Sequence, residues 1–99
     1  MTIRNIQDKI EKSKYRFSGH AVKRMIEKAV GRQEVEEAIL TGEIIEEYPH
    51  DKYSPSCLIY GKTRRERELH VQVSYPPTVV VITTYEPDPK EWINGKVRR

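Results

Sequence analysis

His20 and Arg24 stand four residues apart in the stretch FSGHAVKRMIEK, and Ser18 just before them is a good helix N-cap. At about 100° per residue, His20, Arg24 and Glu27 fall on one side of such a helix. The first turn of a helix has free amide N–H groups and the positive end of the dipole, which favour an anion. Arg24 adds a planar fork that suits phosphate oxygens. The pair makes a reasonable phosphate cradle, or else a solvated face on which Arg24 pairs with Glu27.

A second group of reactive side chains comes from two strand-like segments, ELHVQVSY and TVVVITTYE. The loop YPPT between them sets an expected register, with Tyr75 opposite Thr78 and facing positions summing to a constant. Val73 then pairs with Val80, Val71 with Ile82 and Leu69 with Thr84, which makes an apolar face. The other face receives His70 opposite Thr83, with Tyr85 on the next diagonal. A slip of two positions keeps this face, whereas a slip of one turns every side chain over. Thr and Tyr are also ordinary strand formers and a lone strand histidine is commonly structural, so this grouping by itself leaves both readings open.

Charge is spread unevenly. The chain of 99 residues carries a net charge of +3, and GKTRRERELH packs Lys62, Arg64, Arg65 and Arg67 into one short segment. A basic C-terminal tail, residues 95–99, adds Lys96, Arg98 and Arg99. Basic clusters attract polyanions, although Glu66 and Glu68 interrupt this one and an exposed turn with a frayed tail fits equally. Cys57 stands alone, which excludes an internal disulfide and a cysteine-clustered zinc site and suggests a half-buried strand residue. His50-Asp51 sits in a turn, where solvent exposure is the simpler reading than metal ligation. Neither a cofactor nor a metal is expected.

The elements that must position these groups follow from periodicity. Ile3, Ile6 and Ile10 predict a helix over residues 3–13, and Val22, Met25, Ile26 and Ala29 give the stripe of a second over 18–30. A third, over 33–41, turns Val35, Ala38 and Ile39 inward and stops at Thr41-Gly42. After Gly42 the pattern becomes that of strands: EIIEEY, CLIYG, ELHVQVSY and TVVVITTYE, with the turn-rich PHDKYSPS after the first. The expected fold is α+β, with N-terminal helices packed on a four-stranded antiparallel meander. EPDPKEW leaves the sheet, because two prolines cannot continue a ladder. Residues 1–99 read as one domain without repeats or linkers. No apolar run approaches the roughly 20 residues that span a bilayer, and the charged start has no signal-peptide character, so a cytoplasmic location is the default expectation.

FSGHAVKRM, GEIIEEYPHDKYSPSCLIYG, ELHVQV and ITTYEPDPKEW together resemble the domain-of-unknown-function family 4258 of bacteria and archaea, over about residues 14–92. The family's histidine-alanine-arginine pattern is matched by His20, Ala21 and Arg24, and its strand histidine by His70. Its threonine-variable-tyrosine ending with a Pro-Asp-Pro segment and tryptophan is matched by Thr83, Tyr85, Pro87, Asp88, Pro89 and Trp92. The chain departs from the family after Met25, where KAVGR replaces an arginine-glycine-isoleucine step. The resemblance implies a RelE-like or barnase/EndoU-like fold, in a group that includes metal-independent ribonucleases of toxin–antitoxin pairs. It also implies a small zinc-finger antitoxin as partner.

The leading expectation is therefore a toxin-type endoribonuclease that cleaves RNA through attack by the ribose 2′-OH. Such chemistry needs a base, an acid and positive charge on the phosphate oxygens, and histidine titrates in the right range. His20 and His70 would be the acid–base pair, Arg24 would stabilise the phosphorane, and Thr83 and Tyr85 would position the phosphate. Lys62, Arg64, Arg65, Arg67 and the tail would hold the RNA backbone. The alternative is a non-catalytic module that binds protein or nucleic acid.

Overall fold

The computed structural model describes residues 2–52 and 54–99; Tyr53, in the expected turn after the first strand, lies outside them. Three helices come first, α1 (Ile3–Glu11), α2 (Gly19–Lys28) and α3 (Arg32–Thr41), with a short strand β1 (Arg16–Phe17) between the first two. Four strands follow: β2 (Glu43–Tyr48), β3 (Ser56–Lys62), β4 (Glu68–Ser74) and β5 (Val80–Tyr85). The chain ends in β6 (Trp92–Ile93) and β7 (Val97–Arg98).

β2 to β5 form the expected antiparallel meander, but the four-stranded, purely antiparallel sheet needs correction. β1 adds a fifth strand, parallel to β5, so the sheet is mixed with order β1-β5-β4-β3-β2. β6 and β7 pair with each other in a separate two-stranded ribbon. The architecture is α+β, with helices on one face of the sheet and the ribbon on the other.

The helix-side core joins Ile6, Ile10, Ala21, Val35, Ala38 and Ile39 to Ile59, Leu69, Val71 and Val73. α3 approaches β3 so closely that a Cβ on Gly61 would run into the Ala38 carbonyl, which leaves room there for glycine alone. Gln7 is buried and donates from Nε2 to the carbonyls of Ile39 (3.0 Å) and Leu40 (3.3 Å) in the last turn of α3.

Two details of the core differ from the sequence reading. Around the start of β5 the buried apolar residues are Val79, just before the strand, and Val81 within it, not Val80 and Ile82. Ser74 accounts for part of this: its hydroxyl accepts the Val80 N–H (2.9 Å) and donates to the Thr78 carbonyl (2.8 Å), so the ladder starts at Val73–Val81. A bulge then leaves Ile82 unpaired, and Gln72 faces Thr83, Val71 faces Thr84 and His70 faces Tyr85. Consequently His70 lies across from Tyr85 rather than Thr83.

On α2 the inward residues are Ala21 and, in part, Met25. Val22 and Ile26, expected in the stripe, are 45% and 77% exposed. α2 lies over β5, and beyond Val81 no further strand extends the sheet under its outer flank. Cys57, expected to be half-buried, is fully enclosed, and burial pushes its thiol up to about 11. Among the described residues no helix is long and apolar enough to cross a membrane.

Candidate functional site

α2 is fastened to β5 at both ends. At its start Ser18 donates its N–H to Val81 O (2.9 Å) and its hydroxyl to Ile82 O (2.8 Å), while Oγ accepts the Ala21 N–H (3.0 Å) as the N-cap. At its end Arg67, from the turn before β4, donates to the carbonyls of Lys28 (2.8 Å) and Ala29 (2.9 Å). The same guanidinium pairs with Glu34 of α3 (3.3 Å) and with Glu86, just after β5 (3.2 Å). The two fastenings bracket His20 and Arg24 on the helix, and Thr83 and Tyr85 on the strand. His20 is exposed in the first turn. Arg24 is half-buried and pairs with Glu27 at 3.7 Å, the partner that its helical spacing suggested. Thr83 and Tyr85 are half-buried on the sheet face opposite the helices, along an edge that carries no strand beyond Val81.

His70 is placed otherwise than expected. It points away from the helices, as its alternation required, yet it is fully buried. Nε2 lies 2.6 Å from the Gly95 carbonyl, Nδ1 lies 3.4 Å from the Tyr85 hydroxyl, and Trp92 meets the ring edge-on at 4.5 Å between centroids. Burial lowers the pKa of His70 below the ordinary histidine value, against the opposing pull of the Gly95 carbonyl. The imidazole is neutral and sealed. It is therefore not an open partner for His20 in this conformation: of the two histidines expected as an acid–base pair, His20 is exposed and His70 is enclosed. Tyr85, also raised by burial, keeps its proton.

The cover over His70 comes from Trp92 and from the tail, residues 95–99, for which fraying was one of the two expectations. Asn94 and Gly95 both take positive φ (54° and 73°), and the Lys96 N–H closes the turn onto Ile93 O at 3.0 Å. This is the backbone of a tight hairpin turn. Arg98 lies 4.6 Å over the Trp92 ring and binds Glu46 through Nε (2.8 Å) and Nη2 (3.2 Å). Lys96 pairs with Glu43 at 3.5 Å, and Arg99 donates from Nε to Pro89 O at 2.8 Å. Asn-Gly between Trp92-Ile93 and Val97 was a legible hairpin signal that the sequence reading passed over.

The basic turn is largely neutralised within the molecule. Lys62 pairs with Glu66 (3.6 Å) and Arg64 with Glu37 (3.5 Å), while Arg67 forms the clamp described above. Arg65 is exposed, and no ion pair holds it among the described residues. Of the four basic residues expected to hold RNA, Lys62, Arg64 and Arg67 thus have carboxylate partners within the molecule. At the other candidate, Asp51 accepts from Ser56 Oγ (2.7 Å) and Gln72 Nε2 (3.3 Å). No group of three or more His, Cys, Asp or Glu able to hold a metal ion occurs among the described residues.

Comparison with curated proteins finds no match, and comparison with solved structures finds none either. A family match covers residues 17–86, which takes in α2, α3, the meander and the residues His20, Arg24, His70, Thr83 and Tyr85. It stops short of Pro87, Asp88, Pro89 and Trp92, so the terminal hairpin lies outside it. With more than half of the chain matched, this protein belongs to the family described as domain of unknown function (DUF4258).

Proposed function

We propose that the domain is an endoribonuclease of the toxin kind, with a RelE-like arrangement of helices on a meander. The observation that carries the reading is the double fastening of α2 to β5, which holds the His20–Arg24 stretch on the helix side of the strand whose other face bears Thr83 and Tyr85, next to an open sheet edge. In the reaction the RNA 2′-oxygen bonds to the adjacent phosphorus and the P–O5′ bond breaks, leaving a 2′,3′-cyclic phosphate and a 5′-hydroxyl. One group takes the 2′-OH proton and another delivers a proton to the departing 5′-oxygen. His20, exposed in the first turn, serves one of these transfers. Arg24 faces the growing charge on the phosphorane oxygens, where a preorganised donor is most effective. Thr83 and Tyr85 hold the phosphate by their hydroxyls. Arg65 steers the backbone, and a small zinc-finger antitoxin is the proposed partner that keeps the activity in check.

The test is incubation of the purified chain with a short single-stranded RNA, followed by identification of the new ends. Cyclic phosphate ends, lost in His20→Ala and in Arg24→Ala, support the reading. RNA bound without scission, or ignored, supports the second reading, a non-catalytic binding module. The burial of His70 and the internal pairing of Lys62, Arg64 and Arg67 are what favour that alternative.

A further inference from the structure

The sheet face that carries His70 and Tyr85 is covered by a piece of chain that shares no ladder with it. β6 and β7 pair as strands only with each other. The hairpin rests on the sheet through the Trp92 ring, the Gly95 carbonyl on His70, and the ion pairs Arg98–Glu46 and Lys96–Glu43. Both cations are substantially exposed, Arg98 by 61% and Lys96 by 43% at the side chain; the single-pronged Lys96 pair is of the weak, screened kind, and the two-pronged Arg98–Glu46 contact is the stronger hold. A cavity of about 560 Å³ opens at the margin of the hairpin, lined by Tyr60, Glu68, Pro87, Trp92 and Lys96 among others. Lifting the hairpin therefore breaks the Trp92 contact, the two ion pairs and the hydrogen bonds of Gly95 to His70 and of Arg98 to Glu46, and leaves the five-stranded ladder whole. The residues beneath it lie within the family span, whereas the hairpin lies outside it.

We propose that the C-terminal hairpin is an autoinhibitory cover, which when seated seals His70 from RNA and when lifted exposes His70 beside Tyr85. The inference rests on the RNA-cleavage reading and supplies what that reading lacks in the closed molecule, a second accessible proton-transfer group. With the hairpin raised and the RNA passing over the open edge of β5, one imidazole of His20, on the helix side, and His70, on the ribbon side, takes the 2′-OH proton as the P–O2′ bond forms. The other, arriving protonated, gives its proton to the 5′-oxygen as the P–O5′ bond breaks. Both ring nitrogens of His70 are engaged or enclosed in the seated form, so neither exchanges a proton with a bound RNA.

The experiment weakens the hairpin's hold without touching His20, Arg24, His70 or Tyr85. Lys96→Glu with Arg98→Glu sets like charges against Glu43 and Glu46. Labelling by diethylpyrocarbonate, read histidine by histidine in peptide masses, reports exposure, and cleavage of a single-stranded RNA reports activity. In the native chain His20 and His50 should label quickly and His70 slowly. In the double variant His70 should label about tenfold faster or more with His20 unchanged, and cleavage should rise with it. His70→Gln in the same background should remove the gain. Should the double reversal fail to fold, Arg98→Gln alone gives a milder version of the same comparison. The inference is overturned if His70 stays protected until the whole domain unfolds, or if its labelling rises while cleavage does not. Absence of cleavage in every variant, native chain included, removes the nuclease reading and the autoinhibitory role with it. Cleavage by the native chain with no gain on lifting overturns the cover alone.

Discussion

The Gly95 carbonyl fixes the tautomer of His70. A carbonyl oxygen can only accept, so the ring nitrogen 2.6 Å from it, Nε2, carries the proton. Nδ1 is then the lone-pair nitrogen and faces the Tyr85 hydroxyl, which donates to it at 3.4 Å. One backbone atom of the terminal hairpin thus sets the protonation pattern of a residue on the central strand.

Acid sensitivity follows from that burial. His70 is held neutral by desolvation in the folded chain, so its folded pKa lies below the ordinary 6.5. The unfolded state binds a proton that the folded state does not. His70's contribution to stability is therefore fully present above pH 6.5 and is lost as the pH falls below it. Tyr60, Glu46, Glu68, Tyr85 and Arg98 are the other titratable or charged groups around it. Melting temperatures from pH 7.5 to 5 should fall more steeply in the native chain than in His70→Gln. Parallel curves would show that His70 does not supply the slope.

Arg67 and Arg65 should separate cleanly. Arg67→Ala leaves two helix-end carbonyls and two carboxylates without their shared donor, and should cost on the order of 2 kcal/mol in a denaturant titration. Arg67→Lys should recover only part, since a point charge cannot reproduce the fork. Arg65→Ala should leave stability unchanged and lower the log–log salt slope of RNA binding by about 0.7. A salt effect at Arg67 with no stability loss would reverse the assignment.

Ala29 ends α2 in the left-handed region, at φ 52° and ψ 48°. Its side chain is exposed, so the methyl group contributes little packing. Ala29→Gly should relieve about 1 kcal/mol of strain, which for a domain of this size raises the melting temperature by about 4–8 °C. Calorimetry checks it directly.

Arg24 distinguishes transition-state binding from surface charge. Arg24→Ala should lower kcat by about 10²–10³ with little change in melting temperature, and Arg24→Lys should rescue poorly because its contact with phosphate is two-pronged. Equal activity of all three forms would leave Arg24 as no more than the partner of Glu27.

The three helices, the strands β2 to β5 and the inward phase of Leu69, Val71 and Val73 were legible in the residue pattern, because helical and strand periodicities are local and strong there. The pattern also marked the Arg24–Glu27 pairing, which needs only helix geometry. Tertiary structure alone decided the phase of β5: Val79, Val80, Val81 and Ile82 are all apolar, so either alternation reads the same and a bulge leaves no trace in the pattern. It decided β1 as well, since two residues have no periodicity and their parallel pairing depends on where Ser18 docks. The role of Arg67 was hidden because its four partners come from three distant parts of the chain. The fate of His70 was split between the two levels. Alternation turned it away from the helices, but whether that second face met water or a cover depended on Trp92 and Gly95 folding back across more than twenty residues of chain.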